Sequence, residues 1–188
     1  MPVTTLDAKT ALIVVDLQNG IVGLSTAHPT AGVVANAALL ADEFRRRNFP
    51  VVLVTVAGGA PGRTEQAPRA GGERPADWAD LVPELKLQAS DHLVTKHTWG
   101  AFSNTDLFEF LQRESVTQTV IVGVATSIGV ESTARQAQEH GFNVTLAVDA
   151  MTDMNADAHT NSVDRIFPRL GETGTTREII DLLDASQG

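Results

Sequence analysis

The sequence predicts an α/β domain built on a parallel sheet. Short apolar runs rich in β-branched residues recur along the chain. Longer stretches with helical apolar spacing separate them. The runs are apolar on both faces, which is the pattern of strands covered by helices on two sides.

The predicted strands are residues 11–15 (ALIVV), 51–56 (VVLVTV), 92–95 (HLVT), 119–124 (TVIVGV) and 144–148 (VTLAV). Between the first two, Val33, Ala37, Leu40 and Phe44 recur every three to four residues and form one apolar stripe. Arg45, Arg46 and Arg47 then place cations where a helix C-terminus favours them. Ser103-Asn104-Thr105-Asp106 has the form of a capping box before Leu107, Phe108 and Leu111. Residues 130–140 favour a helix, with Gly141 as its cap. Thr175-Thr176-Arg177-Glu178 is a second capping box and opens a last helix through Ile179, Ile180 and Leu183. The glycine- and proline-rich segment 58–83 breaks this rhythm and reads as a long surface excursion of the kind that often carries function.

Composition narrows the function. The 188 residues are 43% hydrophobic and 20% charged, which fits one globular domain over 1–188. The net charge of −9 repels phosphate backbones and argues against nucleic-acid binding. No apolar run reaches the ~18–20 residues that span a bilayer, so no membrane partner is expected. The N-terminus lacks a basic segment followed by an apolar core, so a cytoplasmic location is expected. The chain has no cysteine, which excludes disulfides, thiolate metal sites and thiol catalysis.

In open parallel sheets, ligands bind beyond the carboxyl ends of the strands. Asp16 ends the first run. Partial desolvation there raises a carboxyl pKa and suits acid–base work, although a turn or helix-cap role also fits. Lys96 ends the third run, where an ammonium can pair with a carboxylate or stabilise an oxyanion; taken alone it also fits a surface lysine. After the fourth run, small residues lead into a helix whose backbone N–H groups can receive an anion, or simply form a tight connection.

Together these segments resemble a known family. Val14-Val15-Asp16-Leu17-Gln18-Asn19, the Thr95–Phe102 block (TKHTWGAF), the Gly123–Arg135 block (GVATSIGVESTAR) and the closing RIFPRLG with Thr175-Thr176 are similar, in order and spacing, to the isochorismatase-like hydrolases, or cysteine hydrolase superfamily. The likeness runs from about Lys9 to Leu183. It implies a Rossmann-like three-layer fold with a six-stranded parallel sheet. It also implies an Asp–Lys–Cys triad, whose first two members fall on Asp16 and Lys96. The nucleophile position falls on Gly129, and the family's non-proline cis peptide falls on Val124–Ala125, bringing Ala125 into the site. The resemblance further implies a homodimer or homotetramer. Nicotinamidase members carry an Asp-x-His metal cluster after the second strand. Val56-Ala57-Gly58-Gly59 offers no ligand there, and the five histidines show no metal-like spacing, so neither metal nor cofactor is expected.

True isochorismatases are similar in combining the aspartate and lysine with glycine at the nucleophile position. The resemblance then implies hydrolysis of a vinyl ether in a small carboxylate substrate, with Asp16 as general acid and no protein nucleophile. Lys96 orients the substrate carboxylate, Gln18 places substrate or water, Trp99 and Phe102 form an apolar wall, and Arg63 is a candidate carboxylate receptor. The alternative is an amidase scaffold that has lost its thiol and serves as a non-catalytic binding protein or an inactivated variant.

Overall fold

The computed structural model describes residues 2–65 and 74–185; the middle of the 58–83 excursion lies outside them. Six parallel strands form one sheet: β1 (Thr10–Val15), β2 (Val51–Val56), β3 (His92–Lys96), β4 (Gln118–Val124), β5 (Asn143–Thr152) and β6 (Glu172–Gly174), in the order β3-β2-β1-β4-β5-β6. The chain winds outward from β1 in one direction, then returns to β4 and winds outward in the other. The switch in direction therefore lies between β1 and β4, where a crevice opens at the carboxyl ends.

The helices are α1 (Asn19–Val22), α2 (Thr30–Arg46), α3 (Leu107–Arg113), α4 (Glu131–Glu139), α5 (Ala156–Asn161), α6 (Phe167–Leu170) and α7 (Thr176–Ala185). Alternate strand residues feed opposite layers, as the period-two geometry of a strand requires. Leu12, Val14, Leu53, Val120 and Val122 pack with Val33, Ala37, Leu40 and Phe44 of α2 and with Ile179 and Leu183 of α7. Ala11, Ile13, Val52, Val54 and Ile121 pack with Leu107 and Leu111 of α3, Ala134 and Ala137 of α4, and Phe167 of α6. Every residue of β1 is buried, so this strand is the centre of both layers.

Local signals in the sequence are met unevenly. Thr175 and Glu178 form a reciprocal cap on α7: the Thr175 N–H and hydroxyl donate to Glu178 Oε2 at 2.8 and 3.0 Å, and Glu178 N–H donates back at 3.3 Å. The box predicted at 103–106 is a correction. Asp106 precedes α3 but makes no side-chain cap, because its carboxylate faces His92 Nε2 at 3.1 Å. Thr105 instead donates its hydroxyl to Ala101 O at 2.6 Å. β6 lies in a stretch too short and polar to register as an apolar run. It pairs with β5 through Thr145–Glu172, Leu146–Thr173 and Ala147–Gly174.

At the switch point, Val15 of β1 sits opposite Gly123 of β4, which has φ +124°. A Cβ at 123 would collide with Val15 O. Substituting Gly123→Ala is expected to destabilise the protein by about 3 kcal/mol or more, through backbone strain and overpacking together. The change in urea midpoint measures it; an unchanged midpoint would show that β1 and β4 separate freely here.

Candidate active site

Three strand ends bring the site together. β1 stops at Asp16, whose φ of +54° turns the backbone sharply; aspartate is among the few residues that tolerate this region. Lys96 is the last residue of β3, in register with Val56 of β2. After β4 comes the Val124–Ala125 peptide, which is cis, then a wide π-type turn, Thr126–Val130, that leads into α4.

Asp16 and Lys96 meet: Lys96 Nζ lies 2.8 Å from Asp16 Oδ2, and the two side chains are only 2% and 8% exposed. Lys96 also donates to Thr98 O at 3.2 Å. The other carboxylate oxygen, Asp16 Oδ1, is buried with no hydrogen-bond partner among the described residues. Burial pushes the Asp16 carboxyl up to about 6, and the Lys96 ammonium, by its charge and its hydrogen bond, pulls against that shift.

Gly129 is buried beside this pair. A Cβ built there would stand 3.0 Å from Val15 Cγ1 and 3.2 Å from Asp16 Oδ2. The direction a Cβ would take from this glycine is therefore closely packed. A side chain at 129 would have to displace its neighbours by a few tenths of an ångström.

The pair opens onto a cleft of about 450 Å³. Gly129, Ala125 and Lys96 line it with Asp16, and Trp99 flanks it while remaining 63% exposed. Ile21, Leu24, Ile128 and Met154 supply apolar surface. The structure places three other predicted residues elsewhere. Gln18 is fully buried, and its amide serves the backbone: Oε1 accepts from Val56 N–H at 2.7 Å, and Nε2 donates to Val56 O and Trp78 O at 3.1 and 3.2 Å. It stitches the cleft wall rather than lining the cleft. Phe102 is buried between the sheet and α4, beside His140 and Phe142, with ring centroids 5.2 and 6.2 Å away. Arg63 is exposed and is not among the cleft-lining residues.

Arg74 and Trp78 are among the cleft residues that escaped the sequence reading. Arg74 lines the wall, its guanidinium 4.1 Å from the Trp78 ring, and Trp78 lines the wall as well. The Trp78 segment is held by main-chain bonds from Asn19 N–H to Asp80 O and from Gly20 N–H to Trp78 O, both 2.9 Å, and Arg74 donates to Ala57 O at 3.3 Å. No local spacing announces such long-range stitching. Among the described residues no group of three or more His, Asp or Glu stands close enough to hold a metal ion.

A similar-sized cavity, about 460 Å³, lies at the opposite end of the sheet and includes Asp7, Gln118, Asn143 and Glu172. Its carboxylates are already engaged: Asp7 accepts from Thr117 and Asn143, and Glu172 from Thr4. The titratable pair favours the cleft at the switch point.

A doubly wound sheet carrying a buried acid and amine at its switch point, beside a cleft of small-molecule size, defines an α/β protein with a candidate reaction site at its strand ends. The chain belongs to the isochorismatase family: the isochorismatase domain model matches residues 10–178. It is 44% identical over 179 residues to the isochorismatase family protein YwoC of Bacillus subtilis, covering 92% of this chain and 93% of that one. An isochorismatase family protein from Burkholderia thailandensis has a solved structure that superposes with a TM-score of 0.91 at 40% identity, covering 96% of this chain and 98% of that chain. Enterobactin synthase component B of Escherichia coli is a more distant relative, 26% identical over 182 residues, covering 92% of this chain and 62% of its own. Nicotinamidase 3 of Arabidopsis thaliana is 30% identical over 163 residues, covering 79% and 76%.

The opposing effects on Asp16 can be separated. Replacing Lys96→Met removes the cation that holds the carboxyl down, so the Asp16 midpoint should move above 6. Carboxyl-carbon NMR titration of wild type and variant reads the shift. A midpoint that stays put or falls would show that the 2.8 Å contact does not govern Asp16.

Proposed function

We propose that this hydrolase cleaves a small, carboxylate-bearing vinyl ether by acid-catalysed addition of water, with Asp16 as the general acid. One observation carries the reading: a buried carboxyl with its pKa raised to about 6 adjoins Gly129, the position to which the family resemblance assigns the nucleophile. Among the described cleft-lining residues the only hydroxyl side chain is Thr98, and it donates to Gly100 O at 3.1 Å. Attack by a protein thiol or serine is thus not offered, whereas proton donation is.

The chemistry balances with water alone. Asp16 gives its proton to the terminal alkene carbon, and the ether oxygen stabilises the resulting oxocarbenium ion. Water adds to the carbon that bears the ether oxygen, giving a hemiketal, and returns a proton to the site. The hemiketal then collapses, breaking the carbon–oxygen bond and releasing a 2-oxo acid and an alcohol. The Lys96 ammonium and the Arg74 guanidinium supply positive charge for the substrate carboxylate, Arg74 taking the role first assigned to Arg63. Trp78, Trp99 and Ile128 supply flat apolar surface for a ring. Assembly into a homodimer or homotetramer belongs to the same proposal, and light scattering tests it.

The decisive assay is pyruvate release from isochorismate. Wild type should turn over, and Asp16→Asn should lose roughly 10²–10⁴-fold, the usual contribution of a positioned general acid. Wild-type kcat/KM should fall as pH rises through about 6, because the active form is the protonated carboxyl. Equal rates in the two proteins would exclude the vinyl-ether reaction. Amide hydrolysis gained by Gly129→Cys would favour the scaffold reading.

Arg74→Ala should raise KM about tenfold or more with a smaller effect on kcat, consistent with the loss of a charge-assisted carboxylate contact. Steady-state kinetics on the same substrate separates the two parameters, and an unchanged KM would remove Arg74 from recognition.

A further inference from the structure

Two imidazoles meet next to the 126–130 turn and take no part in the proposed reaction. The rings of His28 and His159 lie with centroids 4.7 Å apart, tilted by 59°. They share a cavity of about 300 Å³ with Gly32, Asn36, Asp149 and Met151. Each ring is tied to a threonine. His159 Nδ1 lies 2.8 Å from the hydroxyl of Thr126, the fully buried first residue of the turn. His28 Nδ1 lies 3.2 Å from the hydroxyl of Thr152, the last residue of β5, which also accepts the His28 backbone N–H at 3.1 Å.

These ties connect the two sides of the cleft. His28 sits on the loop that continues from Ile21 and Leu24, both cleft-lining. Thr126 begins the turn that presents Ile128 and Gly129 to the same cleft. Ala27 N–H also donates to Asp153 O at 2.8 Å, so the loop reaches the end of β5 at a second point.

The surroundings of His159 disfavour a charge on its ring. His159 feels His28 as a like charge and the carboxylates of Asp153 and Asp164 as opposing ones, while its burial disfavours the charged form most strongly. Asp153 is already committed: one oxygen accepts from the Ser127 N–H and hydroxyl, both at 2.8 Å, and the other from Asn155 N–H at 3.0 Å. Asp149, in the cavity wall, accepts from the Thr176 N–H and hydroxyl. One added charge has these acids as counterweights. A second, on a ring less than 5 Å away, meets its like-charged neighbour first.

We propose that His28 and His159 are positioning residues: the paired imidazoles hold the 23–29 loop against the 126–130 turn while they carry at most one proton, and loosen it when both are protonated. The inference rests on the reading of this cleft as the reaction site, but not on the identity of the substrate. It gives the enzyme an acid-side limit separate from the titration of Asp16, so the turn beside the general acid keeps its place only above the second histidine protonation.

Two measurements on the whole protein test it. Histidine ring NMR titration follows all five histidines in wild type and in His28→Gln, a change at an exposed position that keeps a hydrogen-bonding side chain. Removing the neighbouring cation should raise the His159 midpoint by about half a unit or more. Tryptophan emission supplies the second readout, since both tryptophans of the chain line the cleft. Wild type should show an emission change between about pH 7.5 and pH 5 that His28→Gln lacks, while any contribution from Asp16 is common to both proteins and cancels. A His159 midpoint unmoved by His28→Gln, or superimposable emission profiles, overturns the proposal. Neither readout involves turnover, so failure here leaves the pyruvate assay unaffected, and failure of that assay leaves these titrations interpretable.

Discussion

The buried contact between Asp16 and Lys96 is the constraint on which the site depends. Removing two such groups from water costs several kcal/mol each, and attraction offsets that cost only when the remaining polar atoms are satisfied. Here they are not all satisfied: Asp16 Oδ1 is buried without a partner among the described residues. The pair is therefore poor at stabilising the fold and well suited to chemistry, because a carboxyl held between desolvation and a cation changes protonation state near neutral pH.

Holding such a pair in place falls to the sheet. Asp16 and Lys96 come from β1 and β3, which do not touch; β2 lies between them and fixes their relation through the Val15–Val54 and Val56–Lys96 registers. The Asp16 N–H donates to Val54 O at 2.9 Å, tying the turn itself to β2. On the other flank Gly123 lets β4 approach β1 closely enough for the following turn to sit against Asp16. Gln18 completes the frame by joining the end of β2 to the wall that carries Trp78. A fully buried central strand with helices on both sides leaves these strand ends little freedom.

What the sequence disclosed follows from the range of each interaction. Five strands and the main helices were legible because apolar periodicity is local, and strand ends named Asp16, Lys96 and the 125–129 turn because parallel sheets place function there. β6 was not legible from periodicity, since Glu172, Thr173 and Gly174 depend on β5 for their pairing rather than on any apolar run. The π-type turn before α4 was hidden because its residues favour an ordinary helix start. Gln18 and Phe102 sit beside true site residues in the chain, yet their side chains go into the frame and the core. Arg63 and Arg74 were indistinguishable by composition, and both are exposed; Arg74 borders the cleft because it lies over the Trp78 ring and donates to Ala57 O, contacts that no local spacing announces.

Under the proposed reaction, the charges of the cleft also account for an anionic substrate suiting Asp16 as a general acid. When Asp16 is ionised, Lys96 is neutralised by it, and among the described cleft-lining residues Arg74 alone remains to attract a carboxylate. When Asp16 is protonated, both cations are available. A carboxylate substrate therefore binds better to the protonated form, and by reciprocity its binding favours that form and raises the Asp16 pKa further. Substrate arrival thus drives the acid toward the state that the reaction needs. The burial that makes Asp16 costly to ionise is the same burial that lets a bound anion act strongly on it, because both follow from the exclusion of water. A thiol at position 129 would gain nothing from a proton on the neighbouring carboxyl, since nucleophilic attack requires the opposite protonation state. Under the proposed reaction, glycine at 129 and an acid with a raised pKa at 16 are thus two sides of one arrangement: the absent side chain removes the demand for a base, and burial supplies an acid.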